Sequence, residues 1–228
     1  MYDKVFEKLR YTFNNKGLLE QAFTHSSYAH EQATGSIEHN ERLEFLGDAV
    51  LEVLISDLLY GQFPDYNEGQ LTKFRAGLVC EASLAKMGHE IGIEEYLRLS
   101  KGEEFTGGRY RDALLADAFE AVIAAIFLDG GFENARTFVR ECFANEVKRQ
   151  SESFDQFDNK TFLQESIQKN SKTPLNYVLT DESGPDHSKI FTVKVKHNGK
   201  ELGVGRGRSK KEAEQNAAAE AIKLLQLH

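Results

Sequence analysis

Two apolar helical segments carry acidic side chains for which the nearby sequence supplies no basic partner. The four acids are Glu44, Asp48, Asp117 and Glu120. Residues 40–51 hold the first two, and residues 113–128 hold the other two and no further charge. No Lys or Arg lies one helical turn from any of the four, at the spacing that forms ion pairs along a helix. Because an ionised carboxylate beside an apolar core is costly without a compensating positive charge, the pattern indicates a cation that the sequence does not provide.

A divalent metal ion is the cation that this pattern favours. Glu41, Glu44 and Asp48 share one helical face through their spacing, and Asp117 and Glu120 share a face of the second helix. Mg²⁺ prefers carboxylate oxygens together with water and phosphate, and it promotes phosphoryl chemistry. A solvated acidic stripe is the alternative interpretation. It stays open for Glu41, but it fits Asp117 and Glu120 poorly because their helix is too apolar for a surface helix.

The charge distribution points to a second kind of surface. The net charge of −8 argues on its face against a nucleic-acid partner, but residues 1–153 carry −10 and residues 154–228 carry +2. Residues 189–211 contain eight bases and one acid, Glu201. A local basic face matters more for binding than the total charge, so the C-terminal part is the candidate for an acidic partner.

The remaining composition narrows the class of protein. Two cysteines, Cys80 and Cys142, are too few for a disulfide framework and favour reduced thiols in a cytosolic protein. The first residues alternate in charge too early for a signal peptide, and no apolar run reaches the length of a membrane span. We therefore expect a cytoplasmic protein with no membrane partner.

The periodicity predicts an α+β protein of two domains. Residues 1–148 repeat apolar positions every three or four residues between Gly and Pro breaks, which predicts an all-α domain of about seven to nine helices. Residues 149–157 are polar and lack periodicity, so we predict a linker there. Residues 158–228 change pattern, and we predict a second domain with the element order α-β-β-β-α.

Turn and capping signals define the elements of this second domain. A helix is predicted from Thr161 to Asn170, and strands are predicted at residues 175–180, 191–196 and 202–205. Asn198 and Gly199 form a strong hairpin signal. The last helix should begin after Ser209, which forms a predicted capping box with Glu212, and run to about Gln226. Its alanines, Ala213, Ala217, Ala218 and Ala221, suit close packing on a sheet.

Four segments of the chain resemble elements of the ribonuclease III family. Residues 40–51, with their Glu-x-x-Glu-Phe-Leu-Gly-Asp core, closely resemble the family signature, and residues 115–121 resemble its second conserved element. Residues 23–28 and 68–76 are also similar to family segments. The resemblance covers nearly the whole chain.

The resemblance implies a role for each matched acid. Glu44, Asp117 and Glu120 match the family's metal ligands, and Asp48 and Glu120 match its catalytic residues, with Asp48 helping to hold the reacting water. Glu41 and Glu68 match acids near the cleavage site with supporting roles. Phe45 matches an aromatic residue that inserts into a partner subunit. These roles imply Mg²⁺ as the cofactor, with Mn²⁺ able to substitute, and no small-molecule cofactor.

The C-terminal domain resembles a double-stranded RNA-binding domain, which reads the A-form shape through 2′-hydroxyls and phosphates. Three patches match this mode of binding. They are Thr161, Gln164 and Glu165 on the first helix, His187 in the loop 185–187, and Ser209, Lys210 and Lys211 at a helix N-terminus. Because free N–H groups, the helix dipole and ammonium charges meet there, the last patch suits phosphate. Taken singly, Lys210 and Lys211 could be a solvated pair and His187 a turn residue.

Together, the two resemblances imply a double-strand-specific endoribonuclease. Water would attack phosphorus in line and the 3′ oxygen would leave, giving 5′-phosphate and 3′-hydroxyl ends. Since duplex strands are related by local two-fold axes, a homodimer would offer each strand an equivalent site, and the offset of two sites would leave short 3′ overhangs. The family also implies processing of ribosomal RNA precursors and of other structured transcripts, including messenger and transfer RNA.

Two rival functions are consistent with parts of this pattern. The first is a duplex-binding protein that keeps the fold but lacks activity, and the loss of one of the four acids would be its mark. The second is a metal-dependent hydrolase or phosphatase for a small molecule, which would need no basic C-terminal extension. The sequence keeps all four acids and has the extension, so both rivals are disfavoured.

Overall fold

Helices make up the first part of the chain, as the periodicity predicts. The structure is a computed structural model that describes residues 3–32, 37–157, 159–169, 171, 173–185 and 189–227. The chain divides into two units, Met1–Lys148 and Arg149–His228. In the described residues of the first unit the helices are α1 (Asp3–Leu9), α2 (Lys16–Ala22), α3 (Ser26–Glu31), α4 (Glu41–Gln62), α5 (Glu68–Leu78), α6 (Glu81–Ile91), α7 (Lys101–Phe105), α8 (Asp112–Gly130) and α9 (Phe132–Phe157), which continues into the second unit. The predicted all-α character is confirmed.

Helix α8 is the centre of the first unit. Eleven of its residues are buried, and Phe119 and Val122 have no exposed surface. A helix that is apolar on nearly every side is typical of a core position. Helices α4 and α6 pack against it, with Leu51 and Ile55 of α4 fully buried. Asp117 and Glu120 therefore project from the core helix of this unit.

The predicted linker is helical in the structure. Helix α9 continues through residues 149–157 and ends at Phe157. Because a helix can also join two domains, the role of this segment as a linker stays a prediction. The segment contains neither Gly nor Pro, and it is rich in residues that continue a helix readily, such as Arg149 and Gln150. Propagating a helix that already exists costs little compared with starting one. The loss of apolar periodicity along the sequence therefore did not mark the end of the helix.

The second unit has the predicted order of elements. Helix α10 (Asn159–Gln168) is followed by β1 (Asn176–Ser183), β2 (Ile190–His197), β3 (Lys200–Gly207) and α11 (Lys210–Leu225). The strands form an antiparallel sheet in the order β1-β2-β3. Asn198 and Gly199 join β2 to β3 with φ values of 50° and 78°, the left-handed backbone of a type I′ hairpin turn. The fold prediction for this part is confirmed.

Small residues allow α11 to lie directly on β3. A Cβ atom on Gly205 would lie 2.1 Å from the carbonyl oxygen of Ala213 and from the backbone nitrogen of Ala217, so only glycine fits. Both alanines are fully buried. The apolar core beneath the sheet consists of Leu163, Val195, Leu202, Ala217, Ala218 and Ala221. The alanine face therefore has the role that the sequence predicted.

A row of polar side chains on α11 covers the outer edge of β3. The row consists of Glu212, Asn216 and Glu220, each one turn from the next. Glu212 accepts a hydrogen bond from the backbone N–H of Arg208 at 2.7 Å, Asn216 donates to the carbonyl of Arg206 at 2.7 Å, and Glu220 accepts from the N–H of Val204. Four helical residues rise about 6 Å and two strand residues about 6.6–6.8 Å, so the spacing of the side chains along α11 matches that of their backbone partners along β3.

This row changes the predicted cap of α11. Ser209 is the N-cap, and its hydroxyl accepts from the backbone N–H of Glu212 at 3.1 Å, as predicted. The carboxylate of Glu212, however, binds the N–H of Arg208 and not that of Ser209. The reciprocal half of the predicted capping box is therefore replaced by a contact with the preceding backbone.

Two further observations concern the chain as a whole. Cys80 and Cys142 are free thiols. Burial raises the pKa of the Cys142 thiol to about 12, with a further contribution from Glu141, so this thiol stays protonated at neutral pH. None of the helices in the described ranges combines the length and apolar character that a membrane crossing requires.

Candidate metal centre and nucleic-acid interface

Helices α4 and α8 cross with their backbones in contact at Gly47. A Cβ atom on Gly47 would lie 2.0 Å from the carbonyl oxygen of Glu120 and 2.5 Å from its carbonyl carbon. Gly47 is buried, and no larger residue could occupy this crossing without moving a helix. Glu44 lies one turn before Gly47, and Asp48 follows it directly. The crossing therefore determines how close the acids of α4 lie to those of α8.

The four acids form one electrostatic group. Burial, followed by repulsion from Asp48, Glu44 and Asp117, raises the pKa of Glu120 to about 8. The pKa of Glu44 is also raised, first by burial and then by Asp117, Glu41 and Asp48. Among the described residues, no ion pair joins any of the four to a Lys or Arg. The structure thus brings together the residues that were predicted from two distant segments.

Two residues beside Asp117 were not predicted to belong to this group. Burial and the charge of Glu81 raise the pKa of Asp117, while His25 lowers it. His25 is the N-cap of α3, where its Nδ1 accepts from the backbone N–H of Ser27 and lies 2.8 Å from the Ser27 hydroxyl. His25 belongs to the 23–28 segment that resembles the family, but no role had been derived for it. Glu81 gave no signal in the sequence, because it approaches Asp117 only through the packing of α6 on α8.

The donor atoms of this group fit a hard divalent cation. All four side chains offer carboxylate oxygens, and a cation would relieve the repulsion that raises the pKa of Glu120 and Glu44. Within the described ranges, no three His, Cys, Asp or Glu side chains converge as a ready-made metal cage. Mg²⁺ does not require one, because it commonly takes one or two protein carboxylates and completes its shell with water and substrate phosphate.

The supporting acids Glu41 and Glu68 lie in the first turns of α4 and α5. Glu41 is an exposed residue in the first turn of α4, where His39 Nδ1 lies 3.8 Å from its carboxylate. Glu68 is exposed in the first turn of α5, and its carboxylate accepts from the Thr72 hydroxyl at 3.2 Å. Glu41 acts on the central group through Glu44, whose pKa it raises. For Glu68, the structure gives a position but no link to the four acids.

Phe45 lies on the surface although it is a large apolar residue. It is 82% exposed, on the helix that carries Glu44. On the same helix, Val53 and Tyr60 are also exposed. Val53 and Tyr60, but not Phe45, line a groove of about 810 Å³ between α4 and α5, together with Leu59, Tyr66 and Leu71. The groove gives this surface an apolar character that an isolated exposed residue would lack.

The RNA-binding residues predicted in the second unit lie on α10 and at the start of α11. On α10, Thr161 is half-buried, while Gln164 and Glu165 are exposed. Ser209, Lys210 and Lys211 are exposed at the N-terminus of α11. The Nζ of Lys210 lies 5.9 Å from the ring centroid of Phe191. His187, predicted in the loop between β1 and β2, lies outside the described residues.

Comparisons with known proteins agree for both units. A family model described as ribonuclease-III-like matches residues 15–147, and one described as the double-stranded RNA-binding motif matches residues 159–225. A protein named ribonuclease 3 from Desulforamulus reducens is 50% identical over 224 residues, which cover 98% of this chain and 91% of the relative. One of the same name from Bacillus licheniformis is 49% identical over 227 residues, or 100% and 91% of the two chains.

A solved structure is similar to the helical unit. It is the nuclease domain of ribonuclease III from Campylobacter jejuni, described as having structural flexibility in the region involved in dimer formation. The match has a TM-score of 0.59 and 39% sequence identity, and it covers 64% of this chain and 97% of the solved chain. The family models, the relatives and this structure therefore agree on one family.

Proposed function

Because the chain belongs to the ribonuclease III family, and is therefore a double-strand-specific endoribonuclease, we propose that its reaction is Mg²⁺-dependent hydrolysis of phosphodiesters in double-stranded RNA. The observation that carries this proposal is the meeting of Glu44, Asp48, Asp117 and Glu120 where α4 crosses α8. Four carboxylates that form no ion pair with a Lys or Arg of the described residues make a poor structural ion-pair network. They form a good receptor for a divalent cation and the phosphate that accompanies it.

Each acid has a proposed role in this reaction. Glu44, Asp117 and Glu120 would hold Mg²⁺, and Mn²⁺ should substitute because it accepts the same oxygen ligands. When bound, the ion supplies charge neutralisation at the phosphate and activation of water. Asp48, which is exposed beside Gly47, would orient the water for in-line attack together with Glu120. Glu41 and Glu68 would support the RNA strand near the cleavage site.

The proposed products follow from which bond of the phosphodiester breaks. When water attacks phosphorus and the bond to the 3′ oxygen breaks, the products carry a 5′-phosphate and a 3′-hydroxyl. Because water is the proposed nucleophile, the reaction needs no covalent intermediate with a side chain. Precursors of ribosomal RNA and other structured transcripts are the proposed natural substrates.

We propose that two copies of the chain act together on one duplex. Phe45 is exposed, and the apolar groove between α4 and α5 lies on the same helix. In a two-fold symmetric dimer, Phe45 of each copy could enter the groove of the other, since such an interface repeats each contact twice. Two symmetry-related sites would cut the two strands with an offset and leave short 3′ overhangs.

The second unit would hold the duplex. Thr161, Gln164, Glu165 and His187 would contact the minor groove, and Ser209, Lys210 and Lys211 would bind phosphates. We propose that the nuclease domain spans residues 1–148 and the RNA-binding domain residues 158–228, with residues 149–157 between them. The cytoplasmic location implied by the family stays a prediction.

One experiment tests the reaction and its rivals together. Four substrates are incubated with the full chain, in Mg²⁺ or in chelator, beside Glu120→Gln. They are perfect duplex RNA, single-stranded RNA and duplex DNA of the same sequence, and a small phosphate ester. We expect cleavage of duplex RNA alone, only with Mg²⁺, and a loss of far more than tenfold in the variant. Wild-type binding without cleavage would indicate the inactive duplex-binding protein. Hydrolysis of a small phosphate ester with no action on RNA would indicate the small-molecule hydrolase.

A further inference from the structure

We propose that Gln215 is a positioning residue that fixes the spacing between the two RNA-binding patches of the C-terminal domain and thereby determines its preference for RNA over DNA. The proposal rests on the proposed function of those patches. Gln215 has no role in the sequence patterns described above, and it is not one of the proposed RNA-binding residues. Gln215 lies on α11, facing inward, and is only 7% exposed.

The side chain of Gln215 caps the N-terminus of α10. Its Oε1 accepts a hydrogen bond from the backbone N–H of Lys160 at 3.0 Å. Since a backbone N–H can only donate, the atom that faces it must be the amide oxygen and not the nitrogen. Lys160 is the second residue of α10, so its N–H is one of the first four that have no partner within the helix. A residue of α11 therefore accepts a hydrogen bond from one of these first N–H groups of α10.

The position of this bond relates the two patches directly. Lys160 precedes Thr161 of the first patch, and Gln215 lies one turn after Lys211 of the second patch. A single hydrogen bond thus joins Lys160, the neighbour of Thr161, to Gln215, which lies on the same face of α11 as Lys211. Any shift of α10 along α11 would break it.

The apolar contacts between these helices cannot fix that spacing alone. Leu163 of α10 is fully buried against Ala217, Ala218 and Ala221 of α11. A face of alanines allows close approach, but it offers no deep holes that would hold a side chain at one position along the axis. Apolar contacts are also non-directional. The directional hydrogen bond to the buried Gln215 amide selects one position of α10 along α11.

A second contact supports the first. Lys160 Nζ lies 2.7 Å from the carboxylate of Glu214, the neighbour of Gln215, and 4.7 Å from the ring centroid of Tyr177. Lys160 is thus held to α11 by its backbone and by its side chain. The two contacts use Lys160, Glu214 and Gln215, none of which belongs to the proposed RNA-binding patches.

The spacing matters because the two patches recognise different groups. Side chains of α10 are proposed to meet 2′-hydroxyls, which DNA lacks, whereas the lysines of α11 meet phosphates, which RNA and DNA share. If α10 shifts, the contacts with 2′-hydroxyls should weaken and the phosphate contacts should persist. The ratio of the affinities for duplex RNA and duplex DNA is therefore the measurement that tests the hydrogen bond between Gln215 and Lys160.

The test uses the full chain in chelator, with duplex RNA and duplex DNA of one sequence. Gln215→Met keeps the length of the side chain and removes the acceptor, and Gln215→Glu keeps an acceptor. We expect the RNA-to-DNA affinity ratio to fall about fivefold in the Met variant, as losing the equivalent of one hydrogen bond would cause, and to stay near wild type in the Glu variant. The slope of log affinity against log salt should not change, because Lys210 and Lys211 remain.

Several outcomes would overturn the proposal. A Met variant that is folded by thermal melting and keeps the wild-type ratio would show that Gln215 does not set the spacing. If the Met variant does not fold, Glu214→Gln weakens the contact with Lys160 Nζ alone and should lower the RNA-to-DNA affinity ratio by a smaller amount. An unchanged ratio in the Glu214→Gln variant would likewise show that these contacts do not set the spacing. A wild-type chain that binds RNA and DNA equally would instead remove the proposed function of the patches, and the inference with it.

Discussion

Gly47 packs directly on the backbone of Glu120, so closely that a Cβ atom would lie 2.0 Å from the carbonyl oxygen of Glu120. This contact is the point at which two helices from distant parts of the chain meet. The acids of α4 lie on either side of Gly47, and those of α8 lie at Glu120 and one turn before it. The distance between the helix axes at this glycine therefore controls the geometry of the whole acidic group.

The first prediction concerns Gly47→Ala. The added methyl group must push α4 from α8, because the atoms it meets are backbone and cannot rotate away. Overpacking of this kind costs about 1–3 kcal/mol. We expect a lower melting temperature and a loss of cleavage larger than the loss of stability explains, since the acids are displaced as well. Melting curves and single-turnover cleavage of duplex RNA measure the two effects.

Gly61→Ala is the matched control on the same helix. A Cβ atom on Gly61 meets nothing within 4 Å, and Ala is favoured over Gly within a helix by about 0.5–1 kcal/mol. This variant should melt slightly higher and cut normally. If both variants behave alike, the close crossing at Gly47 is not what places the acids.

The second prediction concerns Glu120→Gln and pH. The pKa of Glu120 is raised from its ordinary value of 4.5 to about 8, mainly by burial and then by Asp48, Glu44 and Asp117. The folded state therefore holds this proton more tightly than the unfolded state. The associated stability is complete below about pH 4.5 and is lost as the pH rises through about 8. Gln carries no charge, so in chelator the variant should melt higher than wild type, by a few degrees at pH 8 and little at pH 4.5.

Mg²⁺ should reverse this order. A ligand that binds only the folded state raises the melting temperature, so millimolar Mg²⁺ should stabilise wild type more than Glu120→Gln. Asp129→Asn is the control on the same helix. Although burial raises the pKa of Asp129, hydrogen bonds from Asn15, Tyr11 and Asn14 lower it overall, so removing this charge should destabilise the protein at neutral pH. If Glu120→Gln were destabilising at pH 8 in chelator, the acids would not repel as described.

The sequence predicted the elements well, since each element carries its own local signal. The apolar run of α8, the alternation of β2 and the Asn198-Gly199 turn depend on nearest neighbours along the chain, and all three are present. The grouping of Glu44 with Glu120 could not be derived from spacing alone. It depends on a helix crossing, and its only local trace was a pair of helices with unpaired acids and a buried glycine.

Some features of the structure have no local signal in the sequence. Residues 149–157 lost their apolar period, but nothing in them stops a helix, so α9 continued. The carboxylate of Glu212 accepts from the N–H of Arg208, which follows β3 directly, and not from that of Ser209 as the capping box predicts. Gln215 looked like one more polar residue on a helix. Its role depends on α10 beginning beside it, which no local pattern encodes.

The third prediction concerns the polar row on the edge of β3. Asn216→Ala with Glu220→Ala removes the side chains that bind the carbonyl of Arg206 and the N–H of Val204. Each lost bond should cost about 0.5–1.5 kcal/mol, near the lower value where water can replace it. An uncovered edge strand is also a template for pairing with another chain. We expect a lower melting temperature for the second unit and association that grows with concentration.

Light scattering and melting of the full chain measure these effects. Lys223→Ala, on the same helix but beyond the row, should change neither. A double variant that is destabilised yet shows no added association at any concentration would mean that the row stabilises the domain without protecting its edge.

The last prediction concerns Lys210→Ala with Lys211→Ala. Both lysines are exposed at the N-terminus of α11, where N–H groups and the helix dipole also favour an anion. If each binds one phosphate of the duplex, the slope of log affinity against log salt should become shallower by about 1.4–1.8 in total, and affinity should fall most at low salt. Lys200→Ala with Lys223→Ala removes the same charge from the same unit, away from this terminus, and should leave the slope nearly unchanged. Because the acids of α4 and α8 are intact in both variants, saturating RNA should restore the cleavage rate of the first variant. Equal slopes in the two variants would mean that net charge, and not this helix terminus, holds the duplex.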